Sequence, residues 1–168
     1  MAACRAARLL TCAFLLSIPT SHLANAKPGK SDSQLQCLAK AIYFEARGES
    51  EKGQLAVGRV ILNRVESGAY ADTICGVVFQ GSERPNSCQF SFACDGRSDE
   101  AKDKKSWKEA KVIARELIAC DPPCQEGPKW QAPLWSSTHY PADYVSPRWA
   151  SKLTRTGTIG RHIFYANA

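Results

Sequence analysis

The sequence predicts a single α+β domain, mainly helical, with a small β-sheet. Three observations carry that expectation. Between residues 33 and 119, three stretches repeat apolar residues at helical spacing. Beyond residue 130 the chain becomes rich in aromatic residues and punctuated by prolines, as short strands and turns require. The chain has 168 residues, 44 % hydrophobic and 23 % charged, which is one domain's length with ordinary globular usage.

Residues 1–26 stand apart from that domain. Arg5 and Arg8 precede "LLTCAFLLSI", an apolar run too short to span a bilayer, and "ANA" at 24–26 is a small-x-small cleavage site. A signal peptide cleaved after Ala26 is expected, followed by a flexible lead-in over 27–34 and the working domain over 35–168. The product is expected to be exported, periplasmic or cell-wall-associated, unattached to a membrane after cleavage. Loss of Arg5 and Arg8 leaves 20 basic against 16 acidic residues. That excess is mild and contains no basic run of the kind that binds nucleic acid.

Of eight cysteines, Cys4 and Cys12 leave with the signal. The remaining Cys37, Cys75, Cys88, Cys94, Cys120 and Cys124 are an even set in an exported chain, which reads as disulfides. Cys120 and Cys124 form a natural local bridge, and Cys88 and Cys94 could staple a hairpin or loop. Paired C-x-x-C spacing is missing, so no metal and no cofactor are expected.

The elements follow in order. Ser33 and Gln36 have capping-box spacing, and Leu35, Leu38, Ala39, Ile42 and Ala46 form a buried helical face that Gly48 ends. Ser50 caps a second helix with Ala56, Val57, Val60, Ile61 and Val65 inward, stopped by Gly68. "ADTICGVVFQ" reads as a short helix or turn, and "CQFSFAC" alternates as a strand does, before the Asp95-Gly96 turn. A third long helix is expected over 98–119, with Trp107, Ala110, Val112, Ile113, Ala114, Leu117 and Ile118 on its apolar side. "DPPCQEGP" breaks it. "WSSTHY" and "HIFYA" read as strands, and "SPRWASKL" as a short helix with Pro147 near its start.

The chemistry concentrates in "AIYFEARGES". Glu45 falls at the margin of the first helix's apolar stripe, where one-sided desolvation would raise its pKa and keep it a proton donor. On periodicity alone the plainer role is favoured: a salt bridge with Arg47 or Lys40, or simple exposure. Glu49 follows four residues later on the same helix, with Cβ atoms about 5–6 Å apart. Two carboxylates flanking a sugar approach from opposite faces. Glu49 is therefore assigned to support, with Arg47, by pairing or by capping amides where the chain turns. Gln89 and Ser91 in "QFSF", and His139 and Tyr140 in "THYPADY", could hold sugar hydroxyls or could equally be structural. His139 and His162 alone remain after the signal leaves. No G-x-S-x-G elbow is present.

"CLAKAIYFEARGESEKGQLAVGRVILNRV", followed by "ICGVVFQ", "CQFSF", "THYPADYVSPRWA" and "IGRHIFYA", resembles the SleB/CwlJ cell-wall hydrolase family, the spore-cortex-lytic type of peptidoglycan hydrolase. The resemblance spans about residues 35–165. It implies a lysozyme-like, lytic-transglycosylase-like fold, with Glu45 as catalytic acid, and so overrides the plainer reading of that residue. It further implies cleavage of peptidoglycan glycan strands between N-acetylmuramic acid and N-acetylglucosamine. Separately, the protein is expected to be a monomer. A non-catalytic wall-binding module and a stem-peptide amidase are the alternatives. The number of cysteines, and the lack of a separate peptidoglycan-binding repeat before the catalytic region, point to a Gram-negative-like envelope rather than spore germination.

Overall fold

The computed structural model describes residues 30–84, 87–120 and 134–167. Four α-helices come first: α1 (Lys30–Ala46), α2 (Glu51–Glu66), α3 (Ile74–Val78) and α4 (Lys104–Ala119). A two-stranded antiparallel hairpin closes the chain, β1 (Thr154–Ile159) and β2 (His162–Ala166). The expected class is observed. The signal-peptide segment and "DPPCQEGP" lie outside the described residues.

Helix α1 begins at Lys30, so residues 30–34 of the expected lead-in are already helical. The predicted inward face is in place. Leu38, Ala39 and Ile42 are fully buried and Ala46 nearly so, and Leu35 packs partly buried against them. Tyr43 joins them, its hydroxyl accepting a hydrogen bond from the Asp103 amide at 3.0 Å. Ser50 caps α2 as expected, accepting from the Gly53 amide. Gly68 takes φ +67° just beyond the end of α2, the left-handed turn that favours glycine. Gly58 lies where α1, α2 and α4 meet. A Cβ there would collide with Leu117 Cδ1 and stand 3.1 Å from Ile42 Cδ1, so only a bare Cα allows this approach.

Five expectations are corrected. "CQFSFAC" is not a strand: it is a bent loop with a 3₁₀ turn at Ser91–Ala93, closed by the Cys88–Cys94 disulfide. Its alternation reflects Phe90 and Phe92 turned into the core while Gln89 and Ser91 face outward. The third long helix starts at Lys104 rather than 98, because Asp103 caps it through the amides of Lys105 and Ser106. On α4 Ala110, Ile113 and Ala114 are buried, but Val112 is 50 % exposed. Within "WSSTHY" only His139 bridges, to Tyr165. The real partner of "HIFYA" is "TRTGTI", whose polar residues hid it. The "SPRWASKL" helix is a single 3₁₀ turn, Ala150–Lys152.

The Cys37–Cys75 disulfide ties α1 to α3. A second small core of Ala56, Val60, Leu134 and Phe164 fastens the hairpin to α2. Cys120 is disulfide-bonded as well; the expected partner, Cys124, lies outside the described residues.

Candidate active site

Glu45 stands in the last turn of α1, half-buried. Two residues distant in sequence face it: Tyr140, from the segment before the hairpin, and Arg64, from α2. Burial pushes the Glu45 carboxyl above its ordinary value; the Tyr140 hydroxyl and the Arg64 charge pull partly back. Desolvation is the largest of the three effects, so the acid form persists to higher pH than in an exposed glutamate. The plainer roles weighed for Glu45 are not realised. Arg47 is exposed and lies over the Tyr43 ring at 5.0 Å, and Lys40 sits 5.9 Å from the Phe79 ring.

Tyr140 is held by rings. His162 meets it edge-on at 5.1 Å and Phe164 lies at 5.9 Å. Its hydroxyl is turned toward Glu45 closely enough to favour the carboxylate, yet no hydrogen bond of good geometry closes on that buried oxygen. Burial and the neighbouring Glu45 hold the phenol well above its usual range, so it remains a donor.

Arg64 is only 6 % exposed. Its Nε donates to the Thr138 carbonyl at 2.7 Å, and its guanidinium lies over the rings of Tyr70 (5.2 Å) and Phe90 (5.4 Å). Next to it, Asn63 donates through Nδ2 to the carbonyls of Leu134 and Ser137, both at 2.7 Å. One turn of α2 thereby clamps the segment that delivers His139 and Tyr140. Sequence reading missed Asn63 and Arg64. The available signal was an arginine three residues beyond Ile61 and four beyond Val60, on the buried stripe of α2, where an exposed cation does not belong.

His139 lies against Trp149 at 5.2 Å, and its ring nitrogens face Tyr70 Oη (3.3 Å) and Thr138 Oγ1 (2.9 Å). Burial first, then the Arg64 charge, lowers its pKa, so its neutral form dominates at neutral pH. The structure thus brings Glu45, Tyr140 and His139 into one cluster around Arg64. Gln89 and Ser91 are exposed on the disulfide-closed loop, flanking the Phe90 that packs on Arg64.

Glu49 does not pair with Arg47. Its carboxylate accepts the Arg161 amide at 3.3 Å, at the turn joining β1 to β2. This is the amide-capping role, performed on the hairpin. Gly160 has φ +55°, and a Cβ there would collide with Glu49 Oε2. A cleft of about 700 Å³ is lined by Glu49, Gln54, Lys105, Lys108, Val112 and Glu116 among others; Glu45 is not part of it. Among the described residues no group of three or more His, Cys, Asp or Glu is placed to hold a metal ion.

Residues 48–165 match the family model described as Cell Wall Hydrolase. The match begins just past Glu45, so that residue's candidacy rests on its surroundings. Over 141 residues the chain is 44 % identical to the spore cortex-lytic enzyme of Bacillus subtilis (strain 168), covering 84 % of this chain and 40 % of that protein. It is 32 % identical over 140 residues to the spore cortex-lytic enzyme of Oceanobacillus iheyensis, covering 83 % of this chain and 44 % of that one. The chain spans less than half the length of these curated relatives. The catalytic domain of the Bacillus cereus SleB protein superposes with a TM-score of 0.58 at 29 % identity, over 86 % of this chain and 98 % of that domain. The catalytic domain of the germination-specific lytic transglycosylase SleB from Bacillus anthracis gives the same TM-score and identity, over 83 % and 99 %. The expected lysozyme-like fold, mostly helical with a two-stranded sheet, is therefore the observed one.

Proposed function

The chain belongs to the cell wall hydrolase family and is an enzyme of that type, and from this premise we propose that it cuts peptidoglycan glycan strands between N-acetylmuramic acid and N-acetylglucosamine with Glu45 as acid and then base. The observation that carries the reading is the environment of Glu45: a half-buried carboxyl whose acid form burial favours, facing a tyrosine hydroxyl and a buried guanidinium.

In the first half-reaction protonated Glu45 gives its proton to the bridging oxygen as the bond to the muramic C1 breaks, and an oxocarbenium-like centre develops at that carbon. The Glu45 carboxylate, eased by Tyr140 and Arg64, then takes a proton. Taken from the sugar's own C6 hydroxyl, it leaves a 1,6-anhydro ring; taken from water, it leaves a reducing end. The anhydro route needs a single essential carboxylate. Glu49, occupied by the Arg161 amide, fits that economy. His139 and Tyr140 are assigned to the sugar, with Gln89 and Ser91 reaching it from the disulfide-closed loop. Arg47 and Glu49 are support residues. No metal and no cofactor enter this mechanism.

A thiol–histidine mechanism for a stem-peptide amidase finds no free thiol at Cys37, Cys75, Cys88, Cys94 or Cys120, all of which are disulfide-bonded. A non-catalytic wall-binding module would have no need of a desolvated acid. We place the protein as an exported monomer, periplasmic or cell-wall-associated, acting in wall remodelling. No helix among the described residues is long and apolar enough to cross a membrane.

The test is digestion of purified sacculi by the chain from Lys27 onward, read by mass spectrometry. Disaccharide-peptides are expected from the wild type, lighter by one water if the anhydro route operates, and none from Glu45→Gln. Equal release by a folded Gln variant refutes the role of Glu45. Release of free stem peptides refutes the bond.

A further inference from the structure

The two residues that act on the Glu45 carboxyl each carry a buried polar atom with no hydrogen-bond partner: Tyr140 Oη and Arg64 Nη1. Buried donors left unpaired are costly, so such a pair calls for a reason. The rest of Arg64 is firmly engaged, through Nε on the Thr138 carbonyl and through its planar face between Tyr70 and Phe90. Its position is therefore fixed with one nitrogen held back. The cation has no ion pair with a carboxylate among the described residues, and Glu45 is the carboxylate whose charge it senses.

Resting on the reading that Glu45 is the acid, we propose that Arg64 is a positioning residue, anchored through Thr138 to hold its unpaired guanidinium nitrogen ready for the carboxylate that Glu45 becomes on proton transfer. While Glu45 keeps its proton it offers Arg64 little. Once the proton has gone to the bridging oxygen, a full negative charge faces a fixed positive one that need not reorganise. Arg64 stays protonated throughout, so the step balances as one proton moved from carboxyl to leaving oxygen. The charged and titratable groups facing this centre are Arg64 from α2, Tyr70 from the loop after α2, and His139 and Tyr140 from the clamped segment. His162, from β2, lies behind the Tyr140 ring.

The experiment compares wild type, Arg64→Lys and Arg64→Met in kcat/KM against pH on sacculi, together with thermal unfolding against pH. Removing the cation takes away one of the two influences that hold Glu45 down. Arg64→Met is expected to carry the basic limb of the profile to higher pH and to lower kcat/KM by roughly tenfold or more. Arg64→Lys, which keeps the charge, is expected to return the limb toward the wild-type pH while losing the Thr138 anchor. A limb at the wild-type pH in Arg64→Met, with activity merely scaled down, overturns the proposal and leaves Arg64 a structural clamp.

A second readout needs no activity. The stabilisation that Glu45→Gln produces above neutral pH is expected to be larger in the Arg64→Met background than in the wild type, and unchanged in Arg64→Lys. Equal stabilisation in all three overturns the proposal. Should Arg64→Met fail to fold, Arg64→Gln, which removes the charge but keeps a polar donor for the Thr138 carbonyl, takes its place: a basic limb moved to higher pH supports the proposal, and a limb at the wild-type pH overturns it. Because the stability readout does not depend on catalysis, it fails separately from the assignment of Glu45 as acid.

Discussion

Replacing Glu45 with glutamine should make the protein more stable at neutral pH while removing its activity. The folded-state pKa of Glu45 is raised by burial above that of the unfolded chain. Below the unfolded value, about 4.3, Glu45 is protonated in both states and costs nothing. As pH rises the unfolded chain ionises first, and through the folded pKa the native state must also carry a desolvated charge. Glutamine is the same size and never ionises, so it spares the native state that charge. Each tenfold displacement of the acid equilibrium is worth about 1.4 kcal/mol. The net gain at pH 8 is whatever remains of the burial effect after Tyr140 and Arg64 have offset part of it, and each 1 kcal/mol of it raises Tm by roughly 2–4 °C at this chain length. Thermal unfolding followed by circular dichroism from pH 3.5 to 8 reads it. The gain should be absent near pH 4 and grow as the pH rises. A gain of the same size at both ends, or a loss at pH 8, refutes the claim that burial governs this carboxyl.

Three further outcomes are expected. Tyr140→Phe removes a hydroxyl that has no full hydrogen bond, so urea unfolding should change by less than about 1 kcal/mol. Because that hydroxyl lowers the Glu45 pKa, its loss should move the basic limb of activity to higher pH, whatever happens to the rate. Gly160→Ala places a Cβ at φ +55° and against Glu49 Oε2. Left-handed strain of about 1–2 kcal/mol and a lost hydrogen bond of about 1–2 kcal/mol should together appear in the urea midpoint. Replacing Cys37 and Cys75 by alanine opens a link across 38 residues, and loop-closure entropy sets the loss near about 4 kcal/mol. Calorimetry of the double variant against the wild type measures it.

The helices were legible because their apolar spacing and caps are local. Leu38, Ile42, Val57, Val60 and Ile61 are buried where a 3.6-residue period puts them, and Ser50 caps where a serine before an apolar stripe should. The hairpin was half legible. "HIFYA" carries β-formers, but "TRTGTI" faces solvent on much of its length and has no apolar alternation to find. "CQFSFAC" misled because a disulfide-closed loop can bury two phenylalanines at alternate positions without being a strand. In the candidate site, Glu45 was located by pattern and resemblance, whereas its neighbours come from residues 64 and 140, whose approach is a tertiary event. Glu49 was placed in support on spacing grounds, but its partner, the Arg161 amide, is 112 residues away and carries no side-chain signature.

That last contact gives an ordinary surface turn an unusual constraint. Hairpin tips are where related chains commonly gain or lose residues, since nothing else touches them. Here the backbone of the tip is itself docked on a glutamate one turn beyond the proposed acid. Lengthening it by even one residue would carry the Arg161 amide off its acceptor and push new atoms into the space that Gly160 leaves bare. Variation in this chain should therefore gather elsewhere, and the count of two residues between Ile159 and His162 should be as fixed as any residue in the core.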